Sequence, residues 1–298
     1  MKNASFCFLF CISLLFLLVC FIEAPPEKTK TPDFSREIRI YDTKTKQTYT
    51  MSLEQYIIRC LAAEMPASFH PEALKAQAVA IRGYVCRKIA EDVSHSENAD
   101  ICTDFAHCAA FSTDFDSLPE DIRTTYTNAV IQTENEVLYH NKEIANTVFH
   151  AMSSGKTESA EHVWGGKVPY LISVESVLDT RAENYETVVS FSHDEIKQKL
   201  EIDGVSVGET VYYDGGTVKE IQIGEKKFSG KEIREKLNLR AAAFSVQPTE
   251  TALIFTVHGY GHGVGMSQTG ADFYAKEGLK YTAILAKYYP GTTLCRLH

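Results

Sequence analysis

Near the C-terminus, the eleven residues His258-Gly-Tyr-Gly-His262-Gly-Val-Gly-Met-Ser-Gln268 hold four glycines, two histidines and a glutamine. Glycine at alternate positions from Gly259 to Gly265 admits backbone conformations closed to other residues and lets a ligand come close to the main chain. The imidazoles and the amide then offer polar contacts. The same string also reads as a glycine-punctuated turn with solvated histidines. A second chemistry-bearing residue is Glu64, in Leu61-Ala-Ala-Glu64-Met-Pro66, an acid at the end of an apolar helical run and just before a proline. Desolvated there, its carboxyl would be tuned toward neutrality, able to give a proton to a leaving oxygen and later take one back. Pointing into water, it would be an ordinary helix-terminal glutamate. Lys75, Gln77, Arg82 and Tyr84 on the following helix could line the same groove, although each of these types is commonly surface decoration.

Cys102 and His107, with Cys108 directly after, put the ligand types zinc prefers on one short loop. Two ligands do not fill a tetrahedral site, so water, a distant side chain or substrate would complete it. A Cys102–Cys108 disulfide and unrelated buried thiols are the competing readings. Of the eight cysteines, Cys7, Cys11 and Cys20 fall in an N-terminal apolar run, leaving Cys60, Cys86, Cys102, Cys108 and Cys295 outside it. An odd number cannot all pair within one chain, so a disulfide framework is not the expected staple. HGYGH lacks the helix-borne H-E-x-x-H spacing of zinc proteases. Ser154-Gly-Lys-Thr157 lacks the upstream glycine and the strand of a phosphate-binding loop.

The elements that must position these groups are legible in outline. Glu37 to Tyr49 alternates around a Lys/Thr turn and reads as a hairpin. Leu53 to Glu64 and Pro71 to Glu91 read as helices separated by Met65-Pro66-Ala67-Ser68-Phe69. Asn98 to Asp116 is loop-like, and Arg123 to Gln132 is helical. Val137 to Tyr139 and Ile144 to His150 pair around Asn141-Lys142, and Phe191 to Leu200 is a short helix. Gly204 to Ile223 forms a small sheet, followed by a helix over Lys231 to Leu237. The strand Ala252 to Val257 feeds the glycine loop, and helices over Gln268 to Glu277 and Thr282 to Tyr289 close the chain. The expected class is α+β: a mixed helical and sheet catalytic core over 35–298, with 178–250 as a smaller sheet-bearing subdomain.

The chain of 298 residues carries a net charge of -9 and a pI near 5.6, which argues against wide nucleic-acid binding because no basic surface is available to phosphates. Ala4 to Ile22 is an apolar run behind Lys2, long enough to cross a bilayer as a helix. No small-x-small cleavage pair follows it, so 1–23 is expected to be an uncleaved signal-anchor, with 24–34 as a stalk and the remainder exported.

Together these segments resemble the SpoIID/LytB family of peptidoglycan-degrading proteins. The resemblance runs through SLEQYIIRCLAAEMPASFHPEALKAQAVAIRGYV at 52–85, FHAMSSGKTESAEHVWGGKVPYLISV at 149–174, FSGKEIREKLNLRAAAF at 228–244 and HGYGHGVGMSQTGADFYAKEGLKYTAILAKYYPGT at 258–292. It implies a lytic transglycosylase that cuts the N-acetylmuramic acid to N-acetylglucosamine bond of glycan strands already stripped of stem peptides, leaving 1,6-anhydro ends. The family's catalytic glutamate falls on Glu64. Its zinc ligands fall on Cys102 and His107, and an ion held by those two with no nearby H-x-x-E is expected to be structural. His258, His262 and Gln268 are expected to hold sugar hydroxyls and acetamido groups, with Ser153 and Ser154 also facing glycan, and Arg82 or Lys75 to meet the lactyl carboxylate. Where relatives often read Leu-Arg-Ser-Thr-x-Phe, this chain has Leu239-Arg240-Ala241-Ala242-Ala243-Phe244, so any contact from those hydroxyls is missing. The resemblance further implies a sporulation amidase and a membrane scaffold as partners. It also implies a single-pass location in the mother-cell membrane, the domain facing the intermembrane space during engulfment. A noncatalytic, amidase-enhancing glycan binder is the alternative, and a zinc amidase or peptidase is a more distant one.

Overall fold

Strand β1 (Glu37–Asp42) alternates so that Ile38 and Ile40 turn into the core, and it pairs antiparallel with β2 (Gln47–Ser52). The turn between them is tied by Asp42, whose carboxylate accepts the Lys44 and Thr45 amides at 2.8 and 3.2 Å. In the computed structural model, residues 37–91, 95 and 99–297 are described. The anchor expected at 1–23 and the stalk at 24–34 lie outside the described residues, and no described helix is long and apolar enough to cross a membrane.

Ser52 and Gln55 form a reciprocal capping box that starts α1 (Leu53–Glu64). Met65 leaves the helix in an extended conformation and Pro66 prevents its resumption, so Glu64 is the last helical residue. Helix α2 (Pro71–Ala90) starts with proline in its first turn and the His70 ring accepting the Glu72 amide at 3.2 Å. Ala73, Ala76, Ala78 and Ala80 are buried along α2, and these small side chains let neighbouring helices pack closely around it. Arg82 departs from the expectation that it faces a groove. It is fully buried, forks onto Glu54 at 2.9 and 2.7 Å and donates to the carbonyls of Glu136 and Val130 at 3.0 and 3.3 Å. It serves as a core ion pair between α1 and α2, with four of its five N–H donors spent inside the protein.

The short strand β3 (Ile101–Cys102) adds parallel to β1, with Cys102 opposite Tyr41. After α3 (Glu120–Ile131), β4 (Glu136–His140) and β5 (Glu143–Ile144) form the expected hairpin, its two turn residues Asn141 and Lys142 both at positive φ, 49° and 69°. The strand expected to continue to His150 breaks here. Only β6 (Phe149–His150) resumes pairing, with a different partner. Helix α4 (Ala160–Trp164) follows. Next come β7 (Glu186–Ser192) and α5 (His193–Leu200), so Phe191 belongs to a strand and the helix starts two residues later than expected, at the Ser192 cap.

Strands β8 (Val207–Tyr212), β9 (Val218–Ile223) and β10 (Lys226–Phe228) form an antiparallel sheet, and α6 (Gly230–Leu237) follows. Strand β11 (Phe244–Pro248) pairs with β12 (Ala252–His258), which also pairs with β7. Together these segments enclose a hydrophobic core of Ile196, Ile221, Ile233, Leu253 and Phe255. The chain returns to the first core through β13 (Met266–Ser267), parallel to β6. Helices α7 (Gln268–Lys276) and α8 (Tyr281–Tyr288) and β14 (Thr293–Arg296), which pairs with β4, complete it. The architecture is α+β with several small sheets.

Candidate active site

Glu64 stands where α1 ends and two distant segments converge. The chain leaving β3 is drawn back across α1. The Tyr56 hydroxyl donates to the Cys102 carbonyl at 3.1 Å, Tyr56 stacks on Phe111 at 5.3 Å, and the Ser112 amide donates to the Arg59 carbonyl at 3.2 Å. This return brings the Ala110 amide to Glu64 Oε1 at 3.1 Å, while Gln268 Nε2, from the first turn of α7, donates to Oε2 at 3.3 Å. Burial pushes the carboxyl above the usual carboxylate range, and the two N–H donors only partly offset it. No second carboxylate acts on it among the described residues. Tyr84 faces the same region; burial first, then the charges of Cys108, Cys102 and Glu64, raise its phenol to about 12, so it stays a neutral donor at physiological pH. Removing the amide with Gln268→Ala leaves desolvation less opposed. The Glu64 carboxyl is then expected to titrate at higher pH than in the parent chain, read by carboxyl-carbon NMR. An unmoved titration would deny the 3.3 Å contact any electrostatic weight.

Beside this acid lies a cluster of soft donors. Cys102 and His107 come together as expected, joined by His95 and Cys108, with all four ligand atoms within 4.8 Å of one another. The Cys102 Sγ lies 3.4 Å from His107 Nδ1 and 3.5 Å from Cys108 Sγ, and Cys108 Sγ lies 3.2 Å from His95 Nε2. The cysteines are free thiols, with no Cys102–Cys108 disulfide. Two thiolates and two imidazoles at these separations fit the edges of a tetrahedron with ligand bonds of about 2.0–2.3 Å, the donor set of a closed zinc site. Cys108 was adjacent to the expected pair and legible as a third ligand. His95 has no local pattern to mark it, and only the folded-back chain brings it in. Ala110, two residues beyond Cys108, carries the amide that meets Glu64, so the cluster and the acid share one loop.

The glycine loop behaves differently from its sequence reading. Gly259, Gly261, Gly263 and Gly265 all have positive φ, and what approaches them is this chain itself. A Cβ on Gly265 would strike the Val148 carbonyl, and one on Gly259 would lie 2.7–2.8 Å from backbone atoms of Met152 and Ser153. His262 is committed to the fold: its Nδ1 accepts the Val264 amide at 3.1 Å and its ring bonds the Phe149 backbone. The ring is partly exposed and lines one cavity with Ser153, Ser154 and His258. Gln268 is buried, its amide spent on Glu64.

His258 pairs with Glu186 at 3.2 Å and stacks on Tyr185 at 5.2 Å. Ser153 is buried and donates to Asp179, and Ser154 donates to the Gly215 carbonyl at 3.0 Å. Lys75 pairs with Glu72 at 2.9 Å and lies over the Tyr281 ring, while Gln77 is fully buried with neither amide atom bonded to protein. Of the expected glycan contacts, Gln268 hydrogen-bonds Glu64, and Tyr84 lies near enough to feel its charge. Arg82 and Gln77 are interior groups of α2, whereas Ser153, Ser154, His258 and His262 line one cavity together.

The buried imidazoles set an acid limit on stability. His150 donates from Nδ1 to the Val264 carbonyl at 3.0 Å, and burial, with His262 beside it, pushes it down to about 3. Burial, with Arg234 nearby, pushes His262 down to about 4. The folded chain excludes protons that the unfolded chain binds near pH 6.5, so this stability is complete above that pH and falls as pH drops toward 4 and then 3. Each excluded proton costs on the order of 1 kcal/mol per pH unit in that window. Between pH 7 and pH 5 the urea midpoint of the parent is expected to fall relative to that of His150→Gln, and equal changes in the two chains would contradict a neutral, buried His150.

The sequence compares with known proteins as follows. The family model described as stage II sporulation protein, SpoIID, matches residues 41–140. The chain is 35% identical over 272 residues to stage II sporulation protein D of Bacillus subtilis, covering 86% of this chain and 78% of that protein. It is 36% identical over 270 residues to the protein of the same name from Bacillus amyloliquefaciens, with the same coverage of 86% and 78%. It is also 27% identical over 289 residues to a Bacillus subtilis protein named amidase enhancer, covering 78% of this chain and 39% of that one.

Proposed function

The chain belongs to the SpoIID family of sporulation proteins, and from that premise we propose that it is a peptidoglycan lytic transglycosylase with Glu64 as its single acid and base. The observation that carries this reading is the desolvated carboxyl of Glu64, on which no second carboxylate acts among the described residues. Hydrolytic glycosidases use two carboxylates, one as acid and one as base or nucleophile. Intramolecular attack needs only one, because the C6 hydroxyl of N-acetylmuramic acid supplies the nucleophile. Glu64, protonated, gives its proton to the glycosidic oxygen as the bond to C1 breaks. The C6 oxygen closes on C1, and the Glu64 carboxylate takes the proton it releases, restoring the acid. The Ala110 and Gln268 N–H groups hold the carboxylate during the interval when it is charged.

Zinc fits the donor set His95, Cys102, His107 and Cys108, where it would supply a structural cross-link. Four protein ligands close the shell and leave no position for substrate, which favours the structural role over a catalytic one. With this reading go glycan strands freed of stem peptides as substrate, a sporulation amidase and a membrane scaffold as partners, and a mother-cell membrane location. The relative named amidase enhancer supports a second reading, a glycan-binding module that assists an amidase without cutting. The two separate in one assay of the full chain in detergent on denuded strands: a transglycosylase releases soluble fragments, whereas the binding module pellets with the glycan and releases none.

A further inference from the structure

Asp179 lies in the short 3-10 turn Val177–Arg181, completely buried, and the reaction described above gives it no part. Its Oδ1 accepts the Ser267 hydroxyl at 2.7 Å, and its Oδ2 accepts the Ser153 and Ser176 hydroxyls at 2.5 and 2.7 Å. Ser176 Oγ also bonds the Tyr288 hydroxyl at 2.6 Å. A Cβ on Gly270 would lie 2.6 Å from Ser176 Oγ, so this network fits only against a residue without a side chain. Among the described residues, no cation pairs with this carboxyl, and three hydroxyls with the Ser153 backbone amide hold it.

The hydroxyl of Ser267 has one proton. With that proton on Asp179, its lone pairs face the Gly270 amide at 3.0 Å, and Ser267 caps the N-terminus of α7. The next residue is Gln268, whose amide reaches Glu64. On its other oxygen Asp179 fixes Ser153, which accepts the Gly155 amide at 3.2 Å, while the adjacent Met152 exchanges backbone hydrogen bonds with Tyr260 at 3.0 and 2.8 Å. One carboxylate thus anchors both the start of α7 and the segment after β6 that the glycine loop packs upon. We propose that Asp179 is a positioning residue for Glu64: by fixing the Ser267 hydroxyl and the first turn of α7, it holds the Gln268 amide against the acid. This rests on the reading of Glu64 as the catalytic group.

Asp179→Asn must turn an amide nitrogen toward at least one of three hydroxyl donors. Ser267→Ala removes the link, and Ser267→Thr keeps it. The expected results for Asp179→Asn and Ser267→Ala are a kcat on denuded strands lower by about 10-fold to 100-fold with KM little changed, and recovery in Ser267→Thr. In both, Glu64 also titrates at higher pH by carboxyl-carbon NMR, the same direction as in Gln268→Ala. The other ionisable groups facing Glu64 are Cys60 and Tyr84, and those facing Asp179 are Tyr185, Tyr274 and Tyr288, all of which each variant leaves in place.

A structural role alone would lower the melting temperature and leave the Glu64 titration where it is in the parent chain. That result, with Gln268→Ala shifted, overturns the proposal. If the parent chain releases no fragments, the transglycosylase reading fails, yet the NMR comparison still decides whether Asp179 positions Gln268. Should Asp179→Asn not fold, the Ser267 pair carries the same decision.

Discussion

Glu64→Gln is expected to yield a folded chain that releases anhydro fragments at least about 100-fold more slowly than the parent, the loss typical of removing a general acid and base. Glutamine keeps an oxygen to accept the Ala110 amide but cannot give or take the proton, and a flip of the Gln268 amide lets its oxygen accept from the new nitrogen. The same substitution is expected to raise stability at neutral pH. Burial raises the folded carboxyl's pKa, so the folded chain holds a proton that the unfolded chain releases near pH 4. The stability from that retained proton is present at low pH and lost as pH rises from about 4 through the folded value. Glutamine never carries the charge, so the variant should melt higher than the parent at pH 7, with the gap closing below about pH 4. Lost release with a raised melting temperature marks a functional acid. Lost release with a lowered one marks a structural residue.

The second large effect concerns the thiol and imidazole cluster. Zinc at one equivalent per chain is expected in protein purified without chelator, and Cys102→Ser or His107→Ala should abolish it. Closed zinc sites contribute as much as about 10 kcal/mol of folding free energy in domains too small to fold without them. Here a large core persists around the cluster, so a loss of about 3 kcal/mol is the reasonable scale, lowering Tm by roughly 6–12 °C. The loosened loop also carries Ala110, so activity should fall with metal content. Stripped protein that melts like the parent while losing all activity would instead assign the ion to catalysis.

Much of this site was written locally. The run before Pro66 marks Glu64 as the end of α1, the Ser52 and Gln55 box and Pro71 mark the helices on either side of it, and Asn141-Lys142 marks its hairpin. What local sequence does not carry is which polar residues meet. Arg82 shares a helix with Tyr84 and looks equally solvent-directed, and only the return of α1 places Glu54, 28 positions earlier, against its guanidinium. Gln268 reaches Glu64 across 204 positions. Ala110 contributes through a backbone amide, which no residue type advertises. His95 joins the cysteines through chain reversal, and the glycines that suggested a ligand instead admit residues 148–153 of this chain.

The proposed cut needs one carboxyl and the substrate's own hydroxyl, without a water nucleophile. It is tested most directly by mass spectrometry of fragments released from denuded glycan by the full chain in water enriched in heavy oxygen. Lytic cleavage predicts 1,6-anhydro-muramic ends, lighter than the hydrolytic product by one water and free of label, absent when Glu64→Gln replaces the parent. Reducing muramic ends carrying the heavy oxygen would contradict the account, because water would then be the nucleophile and a second group would have to activate it.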